Sequence, residues 1–284
     1  MFFPGKIPAM QKIKTAVIPV AGFGTRFLPA SKAFSKALLP ILDRPLAQIL
    51  VEDAVAAGIK KIIFVVSPGR DDVRKFFEPD IPLERKLAEK GNEVKLAAVR
   101  RISELADFEF VEQSEMLGDG HAILQSRELV DDENFLVIFG DDLIFGESSR
   151  QLVDAFESKN GAIVGLQKVA RKDVSKFGIV AIDADSRITE FVEKPAVADA
   201  PSELAIIGKY VVPRKIFEIL AENPNKSGEI RLIDALEILA KTDPVFGEVL
   251  DGERFDCGNK IGWLAANIFA GKNDPEIAKN SENE

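Results

Sequence analysis

The chain has 284 residues, 46% of them hydrophobic and 29% charged, the balance of an ordinary globular protein long enough to bury one large core. Its formal net charge of −9 at pH 7 excludes a general nucleic-acid binder, which needs a basic excess, so any phosphate site must be a local cluster of cations. A single cysteine, Cys257, and a single histidine, His121, exclude a disulfide framework and a Cys/His zinc site within one chain, leaving oxygen-held metals such as Mg²⁺.

In chain order, Met1–Lys14 mixes Phe, Pro and Lys without periodicity and reads as a flexible lead-in. Thr15–Val20, Lys61–Val66 and Phe135–Phe139 are short and apolar on both faces, as strands inside a parallel sheet are. Between them Pro45–Ala57, Asp71–Phe77, Leu83–Lys90 and Ala122–Leu129 have helical spacing. This alternation predicts a doubly wound α/β sheet. Ala162–Lys168, Gly178–Ile182, Ile188–Glu193 and Ala205–Val212 follow as strands with shorter connections, which predicts a mixed sheet with a small appended β region. Arg214–Glu222, Arg231–Lys241 and Ile261–Ala270 read as helices, and Gly271–Glu284 as a frayed tail. No secretory core and no apolar run of about 18 residues is present, so the cytoplasm is the expected location and no membrane is an expected partner.

The first strand runs directly into Ala21-Gly22-Phe23-Gly24-Thr25-Arg26. Open α/β sheets bind ligands at the carboxyl ends of their strands, and Gly22 and Gly24 let backbone amides face phosphate oxygens. A tight strand–helix turn is the plainer reading of the same glycines. A Walker A loop is absent. A dinucleotide fingerprint fails because Phe27 stands where its third glycine would be and Pro29 and Pro40 keep a helix from opening at once. Arg26, Lys32 and Lys36 follow the glycines, cations suited to a triphosphate. Further on, Gly140-Asp141-Asp142 ends a strand, where a carboxylate either holds Mg²⁺ at the active edge or simply terminates the strand. Taken alone, Phe255-Asp256-Cys257-Gly258 says little.

Over Gly22–Pro40 the chain reads G-x-G-T-R-x-x-P-x-x-K-x-x-x-K-x-x-L-P, and with that spacing it resembles the sugar-1-phosphate nucleotidylyltransferases. The resemblance runs from about Lys12 to Phe269. It implies a Rossmann-like nucleotidyltransferase domain over 12–270, with a nucleotide-binding part about 12–145, a sugar-binding part about 146–270, and flexible ends at 1–11 and 271–284. In that family Ala21, Gly22, Gly24 and Thr25 would wrap the triphosphate and Arg26 and Lys36 contact its phosphates. Gln113 and Gly118, in Q-x-x-x-x-G-x-G-H-A, would meet the base, with His121 a structural residue at a helix start. Asp141, and Asp256 in D-C-G-N-K-I-G, would bind Mg²⁺, with Asp142 at most a support and Cys257 a packed thiol. Gly178 in F-G-I-V, Glu193 and Lys194 in V-E-K-P, and Gly208 in A-I-I-G-K-Y-V would face the sugar phosphate, with Lys209 adding charge beside it.

These likenesses imply in-line attack by glucose 1-phosphate on the α-phosphorus of UTP, giving UDP-glucose and pyrophosphate. Arg26, Lys36 and Lys194 would be the catalytic cations. D-C-G-N-K-I-G resembles the uridylyltransferase branch, but Ser35-Lys36-Ala37 stands where that branch usually has P-K-E and is nearer the thymidylyltransferase form. Thymidylyl transfer to the same sugar phosphate is therefore the alternative, and a non-catalytic sugar-nucleotide sensor a further one. The implied partners are the two substrates and a second or further copies of the chain, as a homodimer or homotetramer, with Ile261–Ala270 as a contact helix.

Overall fold

The computed structural model describes residues 12–222 and 228–281. The expected lead-in over 1–11 lies outside the described residues.

β1 (Thr15–Pro19) leads into 3₁₀ turns at Thr25–Phe27, Ala30–Lys32 and Lys36–Leu38, then a minimal hairpin of β2 (Pro40–Ile41) and β3 (Arg44–Pro45). The first half continues with α1 (Leu46–Ala56), β4 (Lys61–Val66), α2 (Asp72–Phe77), α3 (Ile81–Glu89), α4 (Glu93–Ser103), β5 (Asp107–Glu112), α5 (Asp119–Leu124) and β6 (Asn134–Ile138). The second half contains β7 (Asp142–Phe145), α6 (Ser148–Lys159), β8 (Ala162–Lys168), β9 (Gly178–Ile182), β10 (Ile188–Glu193) and β11 (Leu204–Pro213). It ends with α7 (Ile216–Glu222), α8 (Leu232–Leu239), β12 (Val245–Val249), β13 (Glu253–Asp256), α9 (Lys260–Asn273) and α10 (Pro275–Ser281).

The main sheet has nine strands along the path β10-β9-β11-β6-β1-β4-β5, with β8 also paired to β11 and β12 attached to β8. β6, β1, β4 and β5 are mutually parallel, whereas β11 runs antiparallel to β6, β8 and β9. Strand side chains alternate between faces, so a strand apolar at every position feeds two core layers. Ala16, Ile18, Ile62, Phe64, Leu136 and Ile138 pack on one face with Leu46 and Leu50 of α1 and Leu152 and Phe156 of α6. Val17, Ile63, Val65, Phe135 and Val137 pack on the other with α5, α7 and α8. That double coverage makes the sheet doubly wound, as its composition predicts. β9 and β10 form the antiparallel extension with a small core of Val174, Ile179, Ala200 and Ala205.

Two expected elements differ. The helix expected over Ala122–Leu129 occupies Asp119–Leu124 instead, starting directly after Gly118. The tail expected to fray from Gly271 is helical through Asn273 and again over Pro275–Ser281. Asp274 explains the second helix, because its Oδ1 accepts from the amides of Glu276 and Ile277 at 2.9 and 3.0 Å, an N-cap ahead of a first-turn proline.

Candidate active site

The carboxyl ends of β1 and β6 open onto a cavity of about 400 Å³, lined among others by Ala21, Gly22, Lys36, Gln113, Gly118, Asp141 and Glu229. Gly24, Thr25 and Arg26 stand in the adjoining 3₁₀ turn, outside that lining. Gly24 has φ +62°, and a Cβ there would lie 3.1 Å from Ser31 Cβ, so any other residue would strain the turn. Several side chains hold the loop from beneath. Ser67 donates to the Ala21 carbonyl, Ser31 Oγ to the Gly24 carbonyl at 2.7 Å, and Arg70 Nη2 to the Ser31 carbonyl at 3.0 Å. Ser35, buried and away from the cavity, donates its amide to Asp72 Oδ2. The Ser35 departure therefore concerns how the loop is anchored.

Lys36 Nζ lies 2.5 Å from Asp141 Oδ2 at the cavity wall. A Cβ built on Gly258 would sit 2.8 Å from Asp141 Oδ2 and 2.9 Å from Asp256 Oδ1, so the two carboxylates face one point although they are far apart in sequence. Asp256 is oriented by the Gly258 amide at 2.9 Å and by Asn259 Nδ2 at 3.0 Å. Arg26 Nη1 reaches the Gly258 carbonyl at 3.4 Å, closing the glycine loop over this point. Among the described residues no group of three or more His, Cys, Asp and Glu gathers that could hold a metal alone. Mg²⁺ is usually held by one or two carboxylates together with substrate phosphates, so this donor pair fits that ion arriving with a triphosphate. Cys257 is buried between the acids, and burial, then Asp141 and Asp256, push its thiol up to about 12, which suits packing and not nucleophilic attack.

Where a base is expected, Gln113 Nε2 donates to the Gly118 carbonyl at 3.1 Å and lies 3.1 Å from His121 Nδ1. The other His121 nitrogen meets Gln125 Nε2 at 3.1 Å, so the ring is held between two amides as a structural residue. Gly118 has φ +112°, and a Cβ would come 2.4 Å from the Ile230 carbonyl. That carbonyl accepts from Gly120 at 2.9 Å, and Ile230 donates to Leu117 at 2.7 Å, joining this region to the segment before α8. Asp119 Oδ1 accepts from Leu232 N at 2.8 Å, at the start of α8.

On the sugar side, Gly178 pairs with Glu193 in the β9–β10 register, and a Cβ on Gly178 would lie 3.2 Å from Glu193 Oε2. Lys194 follows in a left-handed conformation, φ +47°, with Nζ 3.3 Å from Glu193 Oε1. Arg231, whose role the sequence did not disclose, adds a cation here: Nη1 is 3.8 Å from Glu193 Oε1, and Nη2 is 2.8 Å from Asp234 Oδ1.

Two residues expected on the sugar side lie deeper, and for Lys209 the expectation needs correction. Gly208 is buried, its amide donates to Asp142 Oδ2 at 2.7 Å and its carbonyl accepts from Phe139 at 2.6 Å, so both of its backbone polar groups are already engaged. Lys209 is 0% exposed and points to the opposite face, with Nζ 2.8 Å from Asp53 Oδ2. Ser148 and Ser149 share that carboxylate, so the charge is satisfied inside the α1–α6 layer and not offered to a sugar. The sequence also left Arg254 unnoticed. It shares a strand face with Asp256 at a spacing of two, a signal available in R-F-D.

A family profile described as nucleotidyl transferase matches residues 15–272. A UTP–glucose-1-phosphate uridylyltransferase of Bacillus subtilis (strain 168) is 39% identical over 275 residues, covering 94% of each chain. Among solved structures, a UTP-bound UGPase from Acinetobacter baumannii superposes with a TM-score of 0.88 at 35% identity, covering 95% of this chain and 98% of that one. A UDP-glucose pyrophosphorylase complexed with UDP-glucose superposes with a TM-score of 0.82 at 35% identity, covering 92% of this chain and 100% of that one.

Proposed function

The chain belongs to the nucleotidyl transferase family, and on that premise we propose that it transfers a uridylyl group from UTP to glucose 1-phosphate. The observation that carries the reading is the approach of Lys36 and Asp256 to Asp141, beside a cavity lined by Lys36, Asp141 and Gln113. A phosphate oxygen of glucose 1-phosphate forms a new bond to the α-phosphorus of UTP, the bond from that phosphorus to the β-phosphate oxygen breaks, and pyrophosphate leaves. The attacking oxygen is already ionised, so the protein needs no general base and works by positioning and charge neutralisation.

Arg26 and Lys36 hold the triphosphate, Lys194 grips the sugar phosphate, and Glu193 accepts from sugar hydroxyls beside Gly178. Mg²⁺ held by Asp141 and Asp256 supplies further neutralisation at the phosphates when bound. Gln113 spends its amide nitrogen on Gly118 and His121, which leaves its carbonyl oxygen to accept from an imide N–H. Uracil carries that donor at N3 and cytosine does not. Thymine carries it as well, but the relatives above are named for UTP and UDP-glucose, so thymidylyl transfer has less support.

The remaining parts of the proposal are a nucleotide-binding part over about 12–145 and a sugar-binding part over about 146–270, meeting at this site. A homodimer or homotetramer with α9 at the contact is supported by Ile261, Leu264 and Ile268, which stand 83%, 53% and 51% exposed along it. Among the described residues no helix is long and apolar enough to cross a membrane, and the free buried thiol of Cys257 fits the cytoplasmic reading. The test is pyrophosphate release from UTP, dTTP, CTP and ATP with glucose 1-phosphate and Mg²⁺. UTP is expected to dominate and CTP to fail. Release from none of the four overturns the enzyme assignment, and preference for dTTP moves it to the thymidylyl reading.

A further inference from the structure

β7 and β13 form a ladder of their own, in which Asp256 lies opposite Asp142 and Arg254 opposite Ile144. Like charges placed opposite one another destabilise an antiparallel pair, and here Asp141 adjoins them as a third. Arg254 offsets this crowding. Its Nε and Nη2 donate to Asp142 Oδ1 and Oδ2 at 2.5 and 2.8 Å, and the two side chains are only 12% and 8% exposed. The same Asp142 carboxylate accepts from Gly208 N at 2.7 Å, at the bulge of β11. The guanidinium also lies 5.6 Å over the Phe177 ring, immediately before Gly178, and Nη1 reaches Gln167 Oε1 at 3.4 Å.

We propose that Arg254 and Asp142 are positioning residues of the transfer reaction: their forked ion pair sets the span between Asp141 and Asp256 and couples it to the sugar side through Gly208 and Phe177. This rests on the nucleotidyl-transfer reading above. The geometry requires arginine, because only a planar fork engages both oxygens of Asp142 while its face stays on Phe177. A purely structural ion pair would be replaceable without effect on the site, since buried pairs contribute little that packing cannot supply.

The test compares wild type, Arg254→Lys and Asp142→Asn by Mn²⁺ binding in the presence of UTP, read by electron paramagnetic resonance, and by KM for each substrate. Arg254→Lys keeps the charge that the acids need and is expected to fold, which thermal unfolding checks. Disturbing groups that orient metal-binding side chains typically weakens metal affinity about ten- to a hundredfold. That loss is expected in both variants, with KM for glucose 1-phosphate rising more than KM for UTP. If Asp142→Asn fails to fold, Arg254→Lys alone decides. Unchanged Mn²⁺ affinity with a lowered Tm overturns the proposal and leaves a structural ion pair. Failure of the wild type to bind Mn²⁺ with UTP counts instead against the nucleotidyl-transfer reading.

Discussion

Replacing Ser35 with proline tests how the loop bearing Lys36 is anchored. Ser35 has φ −61° and ψ 142°, angles that proline adopts without strain, so the change removes hydrogen bonds and little else. The Ser35 amide donates to Asp72 Oδ2, and its Oγ accepts from Ala37 N at 3.3 Å. Asp72 Oδ1 is buried and has no hydrogen-bond partner among the described residues, so proline would strip the carboxylate of its recorded donor. A hydrogen bond to a charged group contributes about 1.5–3 kcal/mol. Proline's restriction of the unfolded chain offsets about 0.4–1 kcal/mol of that. The net loss is about 1–2 kcal/mol, a fall in Tm of a few degrees for a chain of this size. Lys36 is the next residue, so KM for UTP should rise in parallel. Thermal unfolding of wild type, Ser35→Pro, Asp72→Ala and the double variant forms a cycle in which the proline penalty shrinks by the share that belongs to the Asp72 bond once Asp72 is gone. Equal penalties in both backgrounds, or a Ser35→Pro protein as stable as wild type, would refute the anchoring.

Burial raises the pKa of Asp119 above the ordinary 3.8, against the pull of the Leu232 and Gly120 amides. A raised carboxylate means that the folded chain binds this proton more tightly, so its contribution is fullest below the unfolded value and is lost as pH rises through the folded one. Asp119→Asn keeps an acceptor for Leu232 without the charge. It should melt higher than wild type near neutral pH, with the gap closing toward about pH 4; a gap independent of pH would count against the buried charge. Gly118→Ala should cost at least about 1–3 kcal/mol from its positive φ and weaken UTP binding by displacing Ile230. Isothermal titration showing unchanged UTP affinity would contradict that. Lys194→Ala should lower kcat/KM for glucose 1-phosphate by about 10²–10³ and leave UTP binding intact. An equal loss of UTP affinity would remove Lys194 from the sugar-phosphate role.

What the sequence disclosed, and what it hid, follows from range. Residues whose work is done by their own loop were legible: Gly24 needs a left-handed turn, and Lys36 follows at a fixed distance on the same stretch. Buried strands with two apolar faces were equally plain. β5 was not, because D-F-E-F-V-E is an edge strand whose charged positions face solvent while Phe108 and Phe110 stack on Phe64. Lys209 was misplaced for a different reason. Strand alternation assigns it a face only if pairing is regular, and β11 bulges between Ile206 and Tyr210, which shifts the following side chains relative to the partner strands. Its partner Asp53 stands 156 residues away, beyond any local pattern.

The same long-range logic governs the site's charge. The chain is acidic overall, with a net charge of −9, yet the site sets Arg26, Lys36 and Arg254 against Asp141, Asp142 and Asp256 in close alternation. Such a locally balanced site gives a bare triphosphate as much repulsion as attraction. A triphosphate carrying its cation meets both halves of the pattern, cations at the phosphates and carboxylates at the metal. Under the proposed reading, the arrangement favours the chelated nucleotide over the bare one. It depends on the later half of the chain returning through β13 to place Asp256 beside an aspartate that the first half already supplied.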